Sequence, residues 1–169
     1  NPTVTRVVVG NEVMLRGDLT RRQLAGYLRR VRAQLAVPVG TAEPWHVWIK
    51  HPELARDVDF IAVHLLPYWE GIAADDATGF FTERLAEVKK KFPAKPVIIG
   101  EVGWPSNGAS RRSPGSGLVK HATPAEQSKN VRDAVAWLRA QPLQQHGLEL
   151  VTVRRRGMLL RTGATPPPT

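Results

Sequence analysis

The stretch Pro96-Val97-Ile98-Ile99-Gly100-Glu101-Val102-Gly103-Trp104-Pro105-Ser106-Asn107-Gly108 decides how the rest of the chain is read. Its first half is a continuous apolar run, the pattern of a strand buried on both faces of a parallel sheet. The run stops at a glycine and a carboxylate, followed by a Gly, Trp and Pro turn. That order sets Glu101 at the open, carboxyl end of the sheet beside an aromatic plate. Upstream, Val7-Val8-Val9-Gly10-Asn11-Glu12 repeats the device: an apolar strand ending in a carboxylate. Cleaving a glycosidic bond takes a fixed carboxylate and a flat apolar surface for the sugar face. The two strand-end glutamates therefore read as a candidate carboxylate pair.

Outward from these segments, strand and helix signals alternate. Thr3 to Gly10 reads as a buried, Val-rich strand. Thr20 is an N-cap for a helix over Arg21 to Leu35, with Leu24, Leu28, Val31 and Leu35 at helical spacing. Val37 to Thr41 is a short strand, and Pro44 to His51 a short helix whose Trp45 and Trp48 read as a core stripe. Val58 to Leu66 is a third buried strand, and Thr78 to Phe92 a helix with Phe81, Leu85 and Val88 on its apolar face. Pro96 to Gly100 is the fourth strand. Thr123-Pro124-Ala125-Glu126 forms a capping box that opens a last helix running to about Ala140. Repeated βα units of this kind make an α/β fold with a parallel sheet, in which chemistry sits at the carboxyl ends of the strands. Glu12, Glu43, Tyr68 and Glu101 all fall at or just after such ends.

Gly10-Asn11-Glu12-Val13 and Gly100 to Gly108 resemble the two signature segments of glycoside hydrolase family 17, the β-1,3-glucanases. His64-Leu65-Leu66-Pro67-Tyr68-Trp69 resembles the family's sixth-strand motif. The wording is closest to the bacterial branch, whose members often accompany membrane glucan synthases; Val102 stands where plant members usually carry Ser or Thr. The resemblance covers roughly residues 1 to 145. It implies a partial (β/α)8 TIM barrel, strands four to seven with their helices, the first three βα units preceding Asn1. A whole barrel takes ~250 residues, so the chain reads as a fragment.

The resemblance also implies a reaction. Retaining hydrolysis or transglycosylation of β-1,3-glucan proceeds by double displacement, with Glu101 as nucleophile and Glu12 as acid/base, and with no metal or cofactor. Glu12 then has to hold a proton at working pH, which a neighbouring carboxylate or desolvation favours. Asn11 is expected on the 2-hydroxyl of the cleaved sugar, and Tyr68 on that sugar or on Glu101. Trp69 and Trp104 are expected to stack on sugar rings, and His64 to line the cleft. Each has a plain packing alternative: a turn Asn, a rim Tyr or Trp, a strand-end His bonded to backbone. The implied partner is a β-glucan oligosaccharide or polysaccharide. The parent protein is expected to be bacterial and periplasmic, extracellular or membrane-associated.

Composition narrows the remaining classes. The chain has 169 residues, no Cys and a formal charge of +9. Without Cys there is no disulfide scaffold and no thiolate metal site. No run of about 18 apolar residues is present to span a membrane, and the N-terminus shows no signal-peptide pattern. His46 and His51 are five apart, not the four of a helical zinc pair. Asp75-Asp76 lacks the rest of a calcium loop, and Ser106 has no nucleophile elbow around it. Ser113-Pro114-Gly115-Ser116-Gly117 lacks the Gly-Lys of a phosphate loop and reads as a flexible loop. The basic residues are scattered, without a nucleic-acid motif. Four of them, Arg154, Arg155, Arg156 and Arg161, lie after residue 150, where an Arg- and Pro-rich segment replaces the acidic, aromatic strand that the resemblance calls for. The organisation expected is thus a partial catalytic domain over 1–150 and an atypical tail over 151–169, either frameshifted or naturally disordered. Two other functions stay open: a catalytically incompetent barrel remnant that binds glucan weakly or self-associates, and a basic binder of anionic surfaces or nucleic acid.

Overall fold

The computed structural model describes residues 4–108, 112–113, 117–118, 122–141, 152–153 and 159–160. Most of the 113–117 loop, and the four tail arginines, lie outside the described residues. The chain divides into two compact units, one formed by residues 1–65 and 82–100, the other by residues 66–81 and 101–169.

The first unit is built on strands β1 (Val7–Asn11), β2 (Val39–Pro44), β3 (Phe60–Leu65) and the start of β4 (Val97–Val102), hydrogen-bonded in the order β1-β2-β3-β4. The β1/β2 and β2/β3 pairs are parallel, with Val7 opposite Val39 and Gly40 opposite Phe60. This is the α/β parallel sheet that the alternating signals call for, and it accords with a partial (β/α)8 barrel. Every residue of β2 and β3 is buried. β1 is not the fully buried strand expected: Val8 is exposed, because β1 is the outermost of the four strands and, among the described residues, pairs with β2 alone. β2 begins and ends later than its apolar residues suggest. Its ladder to β3 carries Glu43 opposite Val63 and Pro44 opposite His64, so backbone pairing extends the strand through residues whose side chains give no strand signal. Gly40 is required by close approach, since a Cβ there would lie 2.7 Å from both the ring and the carbonyl oxygen of Phe60.

Helix α1 (Arg21–Arg32) opens on a reciprocal capping box. Thr20 Oγ1 accepts from the Gln23 N–H at 3.3 Å, and Gln23 Oε1 accepts from the Thr20 N–H at 2.9 Å. Leu24, Ala25 and Leu28 face the core. The helix stops three residues short of the expected Leu35, and Leu35 is exposed. Val37 precedes Pro38, which disfavours helical backbone there, and the Arg32 guanidinium is tied to the Asp59 carboxylate. Helix α2 (Trp45–Lys50) places Trp48 fully in the core, its Nε1–H donating to Ala62 O at 3.1 Å. Trp45 is partly covered by the Arg84 guanidinium, 4.6 Å from its ring. Helix α3 (Ala77–Lys91) ends in Lys89, Lys90 and Lys91, cations suited to a helix C-terminus.

In the second unit, a 3₁₀ turn over Pro67–Glu70 is closed by Gly71, whose φ of 75° is one that glycine adopts without strain. Helix α4 (Pro124–Ala140) starts on the Thr123/Glu126 capping box anticipated from sequence. Lys129 on α4 pairs with Asp133 at 2.7 Å and with Asp75 at 3.0 Å. The Phe81 and Trp137 rings meet at 5.2 Å. Short antiparallel pairs join β5 (Arg112–Ser113) to β6 (Gly117–Leu118) and β7 (Thr152–Val153) to β8 (Leu159–Leu160). No helix among the described residues is long and apolar enough to cross a membrane.

Candidate active site

The carboxyl end of β1 is irregular where the sequence places its carboxylate. Pairing with β2 shifts register between Val8 and Asn11, and Gly10 takes φ 84°. Glu12 follows at φ 55°, the single non-glycine residue in the left-handed region among the described residues. That conformation costs an L-residue about 1–2 kcal/mol, and such strain gathers where a side chain has to be aimed. Here the surroundings hold it. The Glu12 N–H donates to Ala42 O at 2.8 Å, and the Arg16 N–H returns to Glu12 O at 3.0 Å. Thr41 Oγ1–H donates to Gly10 O at 3.3 Å. Asn11, exposed at the strand end, sits opposite Ala42.

The aimed carboxylate meets a histidine. Glu12 Oε1 lies 3.0 Å from His64 Nδ1, and Glu12 Oε2 lies 4.0 Å from the Arg16 guanidinium. His64 stands on β3 and is 2% exposed. Burial pushes its pKa below the ordinary 6.5, outweighing the opposing pull of Glu12. The ring is therefore neutral at neutral pH, and the contact is a hydrogen bond with two settings. An Nδ1–H donates to a Glu12 carboxylate; an unprotonated Nδ1 accepts from a Glu12 carboxylic acid. Such a pair accommodates both protonation states of the carboxyl group. The β4 backbone passes close by: a Cβ on Gly100 would lie 3.0 Å from His64 Cδ2.

Glu43, at the end of β2, is a strand-end residue to which the sequence assigns no role. It is 0% exposed. Its Oε1 accepts from the Met14 N–H at 2.8 Å and its Oε2 from the Leu15 N–H at 3.2 Å. Burial raises its pKa; these two donors oppose the rise and the Glu12 charge adds to it. The signal available in the sequence was an acid inside a short run of small residues directly before Pro44-Trp45.

In the second unit, Glu101 lies half-buried on β4, directly after Gly100. Tyr68, in the 3₁₀ turn after β3, meets Trp104 edge-to-face at 5.4 Å and Trp69 at 5.3 Å. Its hydroxyl lies so near Gly108 that a Cβ there would overlap it. Trp104 is buried with Tyr68, Ala74 and Ala122. Trp69 is 57% exposed and so presents the accessible indole of the three. The structure thus joins Glu12 to His64 in one unit, and Tyr68, Trp69 and Trp104 in the other.

Comparison with known proteins matches residues 1–144 to a family described as the BtgE/BtgC glycoside hydrolase domain. A glucan 1,3-β-glucosidase of Schizosaccharomyces pombe is 32% identical over 121 residues, 63% of this chain and 38% of its own length. A probable β-glucosidase btgE of Aspergillus terreus is 28% identical, covering 80% of this chain and 25% of its own. Among solved structures, an active-site mutant of the Rhizomucor miehei β-1,3-glucanosyltransferase in complex with laminaritriose superposes with a TM-score of 0.62 at 29% identity, over 78% of this chain and 48% of that one. The same organism's glycoside hydrolase family 17 β-1,3-glucanosyltransferase gives 0.60 at 32% identity, over 75% and 46%. The chain spans less than half the length of each of these relatives.

Proposed function

Because the chain belongs to the BtgE/BtgC glycoside hydrolase domain family, we propose that it carries the two carboxyl groups of a retaining β-1,3-glucan hydrolase or glucanosyltransferase. The observation that bears most weight is the strained, left-handed Glu12 whose carboxylate meets a buried histidine at 3.0 Å. The names of its relatives, a glucan 1,3-β-glucosidase and a β-1,3-glucanosyltransferase complexed with laminaritriose, supply the substrate class.

In this reading the Glu101 carboxylate attacks the anomeric carbon. The bond to the leaving glucan oxygen breaks as Glu12 gives that oxygen its proton. A covalent glycosyl-enzyme remains, and Glu12 is now a carboxylate. It takes a proton from water, or from the hydroxyl of a second glucan, as that oxygen attacks and frees Glu101. Hydrolysis and transfer differ only in the acceptor. His64 suits the cycle because it pairs with Glu12 in either state: donating from Nδ1 to the carboxylate, accepting at Nδ1 from the acid. Asn11, exposed at the strand end, takes the role of 2-hydroxyl partner in this reading, and the exposed Trp69 that of a stacking face for a sugar ring.

The test is Glu101→Gln and Glu12→Gln in the full protein, assayed on laminari-oligosaccharides. Each variant is expected to lose at least about 100-fold in turnover, the usual scale of a nucleophile or general acid. Azide is expected to restore turnover of an activated aryl glucoside to Glu12→Gln, and not to Glu101→Gln. Wild-type turnover in either variant removes that residue from its role.

A further inference from the structure

We propose that Glu43 is a positioning residue for the acid/base: its buried carboxylate clamps the Met14–Leu15 turn and thereby fixes the backbone that presents Glu12. This rests on the reading of Glu12 given above.

The backbone accounting of the turn carries the argument. Within residues 12–19, the Arg16 N–H returns to Glu12 O, the Gly17 N–H to Met14 O, and the Asp18 and Leu19 N–H groups to Val13 O. Met14 and Leu15 are served differently. Their donors point to the two oxygens of one carboxylate, 29 and 28 residues away in sequence. Both bonds are partly buried and end on a carboxylate, and a hydrogen bond to a charged acceptor is the stronger kind. Removing the carboxylate therefore releases the turn at two points, two and three residues after the strained Glu12.

The clamp is also anchored on the side away from the turn. Glu43 belongs to the β2/β3 ladder opposite Val63, and its neighbour Ala42 accepts the Glu12 N–H at 2.8 Å. Three successive β2 residues thus grip the Glu12 segment by a hydroxyl, a carbonyl and a carboxylate: Thr41, Ala42 and Glu43. The next β2 residue, Pro44, lies opposite His64, the partner of the Glu12 side chain. One end of β2 therefore governs both the backbone and the surroundings of the acid/base. Burying a charged group is costly, and a carboxylate with full burial and two backbone donors suits a positional role better than one in solvent.

The experiment uses Glu43→Ala and the nearly isosteric Glu43→Gln in the full protein, with two readouts. In amide exchange, Met14 and Leu15 are expected to exchange at least about tenfold faster in Glu43→Ala, with β2 and β3 amides unchanged, as one local opening predicts. In kinetics, kcat/KM for laminari-oligosaccharides is expected to fall about 10–100-fold, the scale of a misplaced catalytic group. For an aryl glucoside whose leaving group needs no proton, the fall is expected to stay within about threefold, because glycosylation then bypasses general acid catalysis. A merely structural loss lowers both substrates alike. Equal falls, or unchanged exchange at Met14 and Leu15, overturn the proposal. If Glu43→Ala does not fold, Glu43→Gln, which keeps one acceptor oxygen, is read by the same two criteria. If the wild-type protein turns over neither substrate, the catalytic reading fails, and the exchange measurement alone decides whether Glu43 holds the turn.

Discussion

His64→Asn tests whether the histidine beside Glu12 is neutral when folded. The ring is 2% exposed, and burial holds its pKa below the ordinary 6.5. The sign follows from proton binding. Below pH 6.5 the unfolded chain protonates this His while the folded chain does not, so the unfolded state binds more protons and stability falls as pH falls. The effect opens near pH 6.5 and ends at the folded pKa. One such proton is worth at most about 1.4 kcal/mol per pH unit. Glu43 acts with the opposite sign. Its pKa is raised above 4.5, so the stability it contributes is present on the acid side and is lost as pH rises through its folded pKa. For this reason the useful quantity is the difference between wild type and His64→Asn, in which Glu43 and other groups common to both cancel. Urea denaturation followed by tryptophan fluorescence, with Trp48 fully buried as reporter, measures it from pH 8 to 5.5. The wild-type advantage is expected to be level above about pH 7 and to shrink by up to about 1.4 kcal/mol between pH 6.5 and 5.5. Glu12 faces the ring, and its other carboxylate oxygen lies 4.0 Å from the Arg16 guanidinium. Glu12→Gln removes the carboxylate that favours protonated His64, so in that background the decline is expected to continue to lower pH. A difference that does not vary with pH, or one that grows on acidification, refutes the reasoning.

Three further outcomes are expected. Gly40→Ala drives a Cβ to 2.7 Å from the Phe60 ring and carbonyl oxygen, and is expected to cost about 1–3 kcal/mol by denaturant titration. Gly26→Ala, inside α1 with nothing within 4 Å of the new methyl, is expected to gain up to about 1 kcal/mol in the same titration. Trp69→Ala removes an indole that is 57% exposed. It is expected to change stability by no more than about 0.5 kcal/mol while weakening laminari-oligosaccharide binding in a calorimetric titration. A large stability loss with unchanged affinity assigns Trp69 to packing.

Much of this molecule was legible in the chain itself. The capping boxes at Thr20 and Thr123, the Val- and Ile-rich strands and the two strand-end carboxylates follow from local rules: spacing, caps and apolar runs. The segment matched by the BtgE/BtgC family, residues 1–144, agrees with the extent read from the motifs. Local rules do not reach contacts between distant residues. They gave Trp45 and Trp48 a shared core stripe, yet only Trp48 is fully buried, because Ala62 O and the Phe92 ring enclose it. They made β1 a buried strand, although an outermost strand leaves Val8 exposed. They found Glu12 but not what aims it. Its ring partner lies 52 residues away, and the carboxylate that clamps its turn reaches across 29. Sequence determined which residue types stand at the strand ends, since strand period and turn chemistry act over a few neighbours. Tertiary structure decided which of them meet, which are dry and in which direction burial pushes the titration of Glu43 and His64, because burial and hydrogen bonding arise only when parallel strands from separate βα units lie side by side.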